Sequence, residues 1–132
     1  MAVLDTKTGL AAAVGERLRD DASLTVVSLC AAWCDTCNEF RATFERIAAT
    51  RPDMLFAWLD IEDDSAICGD IDVENFPTLA IYRGARLLHY GVSLPQEGSV
   101  ARLVDELATR TAAVADAPRP VLELPTAMAR SR

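Results

Sequence analysis

Four cysteines, Cys30, Cys34, Cys37 and Cys68, hold the reactive chemistry of this 132-residue chain. Three of them fall within eight residues. In Cys34-Asp35-Thr36-Cys37 two residues separate the sulfurs. In the first turn of a helix that spacing brings both within disulfide reach, the first exposed and the second turned inward. The thiolate is the reactive form of cysteine. The unpaired N–H groups and the dipole at a helix N-terminus stabilise such an anion. A pair so placed can attack a substrate disulfide through one sulfur and release the product through the other. The spare cysteines, Cys30 and Cys68, are expected as buried free thiols that pack like small hydrophobes. A second disulfide between them is the sharper alternative, and it requires α-carbons within about 7 Å.

Two metal readings compete with redox chemistry. Cys30-x-x-x-Cys34-x-x-Cys37 has the spacing of an iron–sulfur motif, but that motif sits in a barrel of roughly 200 residues or more, which this chain cannot build. A zinc site needs four N or S ligands, here Cys34, Cys37 and two from Cys68, Cys30 and the sole histidine, His89. No second paired motif supports it. The expectation is therefore no metal and no bound cofactor, with His89 structural.

The elements around the motif can be read from periodicity. Leu10, Ala11, Val14 and Leu18 recur at helical spacing over about 9–20, with Thr8 available as a cap. Residues 24–30 are apolar on both faces and rich in β-branched side chains, as a central strand must be. The motif then opens a second helix, with Phe40, Phe44, Ile47 and Ala48 on one face and Pro52 beyond its end. Residues 54–59 read as a strand parallel to the first, because the gap between them holds a whole helix. After a short, weakly helical stretch at 63–72, residues 78–82 and 86–90 flank Gly84 as an antiparallel hairpin. Ser93 and Gln96 form a capping-box pattern ahead of the stripe Val100, Leu103, Val104 and Leu107, in a helix ending near Ala113. The class is α/β, a mixed four- to five-stranded sheet flanked by helices.

Trp33-Cys34-Asp35-Thr36-Cys37 after a buried strand, Phe76-Pro77-Thr78 before the hairpin, and Gly84 and Gly91 beyond it resemble the thioredoxin family over about residues 9–113. The resemblance implies a thioredoxin fold and a thiol–disulfide oxidoreductase. It makes Cys34 the nucleophile and Cys37 the resolving thiol. It also makes Phe76-Pro77 a cis bond facing the cysteines, with the Phe76 backbone binding substrate as a short strand. Without it, Pro77 would be read as an ordinary proline opening a strand. Trp33 is expected to cover the cysteines, and Trp58 to pack in the core.

The sequence departs from the family at four places. The family's buried acid before the motif matches Ser28, its partner lysine matches Trp58, and its helix-kinking proline matches Ala42. The dipeptide between the cysteines is Asp35-Thr36. A serine hydroxyl cannot serve as a base at neutral pH. Release of substrate by Cys37 is therefore expected to be slow, with Asp60 the nearest alternative base.

Composition limits the partners. Thirteen Lys and Arg against twenty Asp and Glu give a net charge of −7, which argues against binding nucleic acid through its phosphates. Seven acids and no base lie between residues 60 and 74, a solvated face or one that prefers neutral or basic partners. No apolar run is long enough to span a bilayer, and the opening residues lack a signal-like stretch. A cytoplasmic protein-disulfide reductase is expected, with protein disulfides as substrates and a reductase or small thiol as electron donor. The alternative is a binding or assembly module on the same fold with slow redox activity. Residues 1–115 are expected to form the domain, and 116–132, interrupted by Pro118, Pro120 and Pro125, a flexible tail. Docking of that tail through Val121, Leu122 and Leu124 is the other reading.

Overall fold

A computed structural model describes residues 2–20, 22–109 and 117–131. Five strands form one sheet: β1 (Val3–Leu4), β2 (Leu24–Cys30), β3 (Leu55–Asp60), β4 (Thr78–Arg83) and β5 (Arg86–Val92), in the order β1-β3-β2-β4-β5. β2 pairs in parallel with β3, and both β2–β4 and β4–β5 are antiparallel. All seven residues of β2 are buried, because this strand lies mid-sheet with layers on both faces. Gly84 turns the hairpin at φ 61°, a left-handed conformation that glycine adopts without steric cost.

The helices are α1 (Leu10–Arg17), α2 (Asp35–Ala49), α3 (Ser65–Cys68), α4 (Glu97–Ala108), α5 (Arg119–Leu122) and α6 (Leu124–Arg130). One face of the sheet, including Val26 and Phe56, packs on Phe40, Phe44 and Ile47 of α2 and on Val100 and Val104 of α4. The other face, including Val27 and Leu29, packs on Leu10 and Val14 of α1 and on Val121, Leu124 and Met128. Alternation along β2 therefore sends Val26, Ser28 and Cys30 toward α2, and Val27 and Leu29 toward α1.

Several expectations need correction. The segment read as a flexible tail folds over 119–130. Val121, Leu124 and Met128 are fully buried, and the Tyr82 phenol donates to the Val121 carbonyl at 2.7 Å. Pro120 and Pro125 each fall in the first turn of a short helix, where a missing N–H costs nothing. Leu122 remains exposed. Ser93 makes no capping box: its N–H bonds to the Pro77 carbonyl, and α4 begins four residues later behind Gln96. Thr8 does not cap α1, which Gly9 precedes; its hydroxyl accepts from the Asp5 N–H at 2.7 Å. The expected extension of α4 to Ala113 lies outside the described residues. β1, not anticipated, continues the sheet beyond β3.

Where β1 ends, the outer edge of β3 is closed by side chains. The Asp60 N–H donates to Asp64 Oδ2 at 2.8 Å, and the Thr6 hydroxyl donates to Asp64 Oδ1 at 3.3 Å.

Candidate active site

β2 ends at Cys30, and a four-residue turn delivers the chain to α2. The turn is held from below: the Cys34 N–H bonds to the Ala31 carbonyl at 3.0 Å, and the Asn38 amide donates to the Ala32 carbonyl at 3.1 Å. Cys34 is the N-cap of α2, with extended backbone at φ −91° and ψ 117°. Cys37 is the third helical residue. N-cap and third-position side chains face each other at a helix start, the adjacency that a capping box exploits. Cys34 is a partly exposed free thiol, and Cys37 is buried.

Cys37 is bonded to Cys30. Their α-carbons are 5.9 Å apart, and both residues are only 1% exposed. Sequence spacing put Cys37 within reach of Cys34 and left Cys30 as a buried free thiol, with a bond to Cys68 as the alternative; the fold instead joins the end of β2 to the inner face of the first turn of α2. Of the spare pair, only Cys68 is a free thiol. It is buried in α3, and desolvation, reinforced by the charges of Asp64 and Asp60, pushes its pKa up to about 12. The Cys30–Cys68 disulfide is therefore excluded in this state.

Ser28 is fully buried on the same face of β2, and its Oγ lies 3.6 Å from Cys30 Sγ. The hydroxyl thus addresses Cys30 Sγ, the sulfur expected to be a buried free thiol. Asp60 is paired in register with Cys30, and its carboxylate is held by the backbone. Both of its carboxylate oxygens accept backbone N–H groups, Oδ2 from Ala32 at 2.7 Å and Oδ1 from Glu62 and Asp63 at 2.8 and 2.9 Å. Its work is to tie the loop after β3 to the turn before the motif.

Trp33 is 64% exposed and stands at the rim. Its indole N–H donates to Glu62 Oε1 at 3.0 Å, and its ring meets Phe76 edge-on at 5.5 Å between centroids. This contact carries the Phe76-Pro77 loop to the motif. The Phe76–Pro77 bond is cis, as the resemblance implied. Pro77 is buried and its carbonyl is taken by Ser93, whereas among the described residues no backbone hydrogen bond ends on Phe76. Trp58 packs on Phe40 and Phe44 with centroids at 6.2 and 5.8 Å, and the Arg41 guanidinium lies 5.0 Å from its ring centre. His89 sits on β5, where burial lowers its pKa.

The model of the family described as Thioredoxin matches residues 7–106. The chain belongs to the thioredoxin family. Among curated proteins, this thioredoxin-family chain is 31% identical to bovine protein disulfide-isomerase A4 over 87 residues, 63% of this chain and 14% of that protein. It is 30% identical to human sulfhydryl oxidase 1 over 118 residues, 81% of this chain and 15% of that protein. The king cobra (Ophiophagus hannah) thioredoxin is 29% identical over 66 residues, 50% of this chain and 63% of that protein. The chain thus spans about a seventh of the first two relatives and under two thirds of the third. Among solved structures, a poplar thioredoxin h superposes with a TM-score of 0.69 at 16% identity, over 84% of this chain and 100% of that one. The thioredoxin of Trypanosoma brucei brucei gives 0.63 at 23% identity, over 82% and 92%. These similarities carry the fold: a mixed sheet flanked by helices with the motif at the β2–α2 junction.

Proposed function

We propose that this thioredoxin-family chain is a thiol–disulfide oxidoreductase that reduces protein disulfides in the cytoplasm. The observation that carries the reading is Cys34 itself, a partly exposed free thiol at the N-cap of α2, three residues before Cys37 and beside the Trp33–Phe76 contact. The Cys34 thiolate attacks one sulfur of the substrate disulfide. A Cys34–substrate bond forms, the substrate bond breaks, and the other substrate sulfur leaves as a thiolate that takes a proton from water. Cys37, once a free thiolate, attacks Cys34 Sγ and releases the second substrate sulfur, so two electrons pass from the cysteine pair to the substrate.

The unbonded Phe76 backbone suits a substrate segment laid alongside it, and Trp33 suits a cover over the attacked sulfur. The charges of Asp35 and Glu62 at the rim favour neutral or basic substrates over acidic ones. A reductase or a small thiol serves as the electron donor that returns the cysteine pair to thiols. A net charge of −7 speaks against nucleic acid as a partner.

A second reading, a binding or assembly module with slow redox activity, is favoured by one observation: Cys37 is tied to Cys30. Insulin reduction with dithiothreitol as donor decides between them. The oxidoreductase reading expects Cys34→Ala to lose at least a hundredfold in rate and Cys37→Ala to accumulate a Cys34–substrate disulfide. A Cys34→Ala protein as fast as the wild type would leave the binding-module reading standing.

A further inference from the structure

We propose that Cys30 is a second resolving thiol, which takes Cys37 from the Cys34–Cys37 bond left by turnover and stores the disulfide in the core as Cys30–Cys37. The inference rests on the oxidoreductase reading and extends it to a cysteine that neither the motif nor the family match assigns. Its basis is the bond itself, joining the end of β2 to the third residue of α2, with Cys34 left as a free thiol at the cap of the same helix.

The exchange balances without any outside reagent. After a substrate has been reduced, Cys34 and Cys37 are joined and Cys30 is a thiol. Cys30 loses its proton to solvent as the turn opens, and its thiolate attacks Cys37 Sγ. The Cys30–Cys37 bond forms, the Cys34–Cys37 bond breaks, and Cys34 leaves as a thiolate. One disulfide is present before and after, so nothing is oxidised or reduced overall.

Burial sets the direction. A thiolate is costly in apolar surroundings, whereas a disulfide is neutral and loses little on leaving water. The arrangement that places the neutral bond in the core and the ionisable sulfur at the helix terminus, in reach of solvent, is the favoured one. Ser28 supplies what the attacking sulfur needs. Its hydroxyl, 3.6 Å from Cys30 Sγ and otherwise enclosed, donates a hydrogen bond to the transient thiolate. The serine in place of the family's acid thus serves Cys30 rather than Cys37.

Two consequences follow. External thiols do not reach the stored disulfide, which reopens only when Cys34 attacks Cys37 from within. The oxidised chain also keeps one reactive thiol, so it holds a second client at Cys34 as a mixed disulfide that Cys37 cannot resolve.

The test begins with the full chain, reduced and then treated with one equivalent of hydroxyethyl disulfide. Samples are quenched in acid, blocked with N-ethylmaleimide, reduced and labelled with iodoacetamide. The three clustered cysteines share the tryptic peptide of residues 20–41, so fragmentation reads each of them. In the wild type the maleimide is expected on Cys34 at least tenfold over Cys30 and Cys37; maleimide on Cys30, with Cys34 and Cys37 protected, overturns the proposal. In Cys34→Ser, formation of the Cys30–Cys37 bond is expected to slow at least tenfold, and a smaller effect means that the pair oxidises without the relay and likewise overturns it. A reduced wild-type chain that does not react with the probe at all would refute the oxidoreductase reading itself, whereas reaction ending in Cys34–Cys37 refutes the role of Cys30 alone.

Discussion

Replacing Tyr82 by Phe tests how the C-terminal helices are held. The Tyr82 ring is fully enclosed on β4, and its hydroxyl donates at 2.7 Å to the Val121 carbonyl, 39 residues further along the chain. Phe keeps the ring and its apolar contacts, so the change isolates one hydrogen bond. Such a bond contributes about 0.5–1.5 kcal/mol net, but the partner left behind here is a carbonyl in a buried setting, which raises the cost to about 1–3 kcal/mol. For a domain of this length each kcal/mol corresponds to a fall in Tm of about 3–5 °C. Urea unfolding followed by circular dichroism measures the loss, and Leu122→Ala, on the exposed side of α5, is the control expected to change stability by less than about 0.5 kcal/mol. The loss should appear as a shift in midpoint with unchanged slope, together with faster tryptic cleavage after Arg130. Tyr82→Phe as stable as the wild type, with cleavage unchanged, would refute the view that this bond anchors residues 119–130 to the sheet.

The alkaline limb of stability follows from two enclosed acids. Burial raises the pKa of Cys68 to about 12 and raises that of Tyr82 as well, so the folded chain keeps protons that the unfolded chain releases. Their stabilisation is whole below about pH 9 and falls away as pH climbs toward 12; Cys68→Ala should flatten the pH 9–12 part of a Tm profile, and an unchanged profile would contradict the assignment. At the motif, Asp60→Ala removes the acceptor for three backbone N–H groups, all open to water, and is expected to cost about 1–2 kcal/mol. Because it loosens the turn before Cys34, the rate of Cys34 alkylation should change in the same variant, and a rate equal to that of the wild type would mean the turn is held by other contacts.

The sheet's centre was legible because its pattern is strong. Seven consecutive buried residues in β2, and Phe40, Phe44 and Ile47 at helical spacing in α2, each have one reading. The hairpin around Gly84 was legible for the same reason. β1 was not, since Val3 and Leu4 are too few to show alternation and become a strand only by pairing with Phe56 and Ala57. The C-terminal helices were hidden by their prolines, which mark breaks in the interior of a helix but fit the first turn, where Pro120 and Pro125 lie. At the site, the motif and the Phe76–Pro77 loop were readable as a pattern, whereas the partner of Cys37 was not. Spacing along the chain reports neighbours within one helix turn. The bond from Cys37 to Cys30 depends on how α2 crosses the end of β2, which is a tertiary fact.

The carboxylate of Asp64 has a consequence for how the molecule meets its own copies. β1 covers β3 for only two residues, so without the Asp64 carboxylate the remainder of that border would be a row of unpaired peptide groups, the kind of template on which a second chain can add a strand. Asp64 occupies this row by accepting the Asp60 N–H, and it presents negative charge where an incoming backbone would have to bring its own carbonyl. An approaching strand would have to displace the carboxylate and leave it without its partner. Asp64, at the N-cap of α3, therefore acts as a guard against strand addition along the β3 border of the sheet.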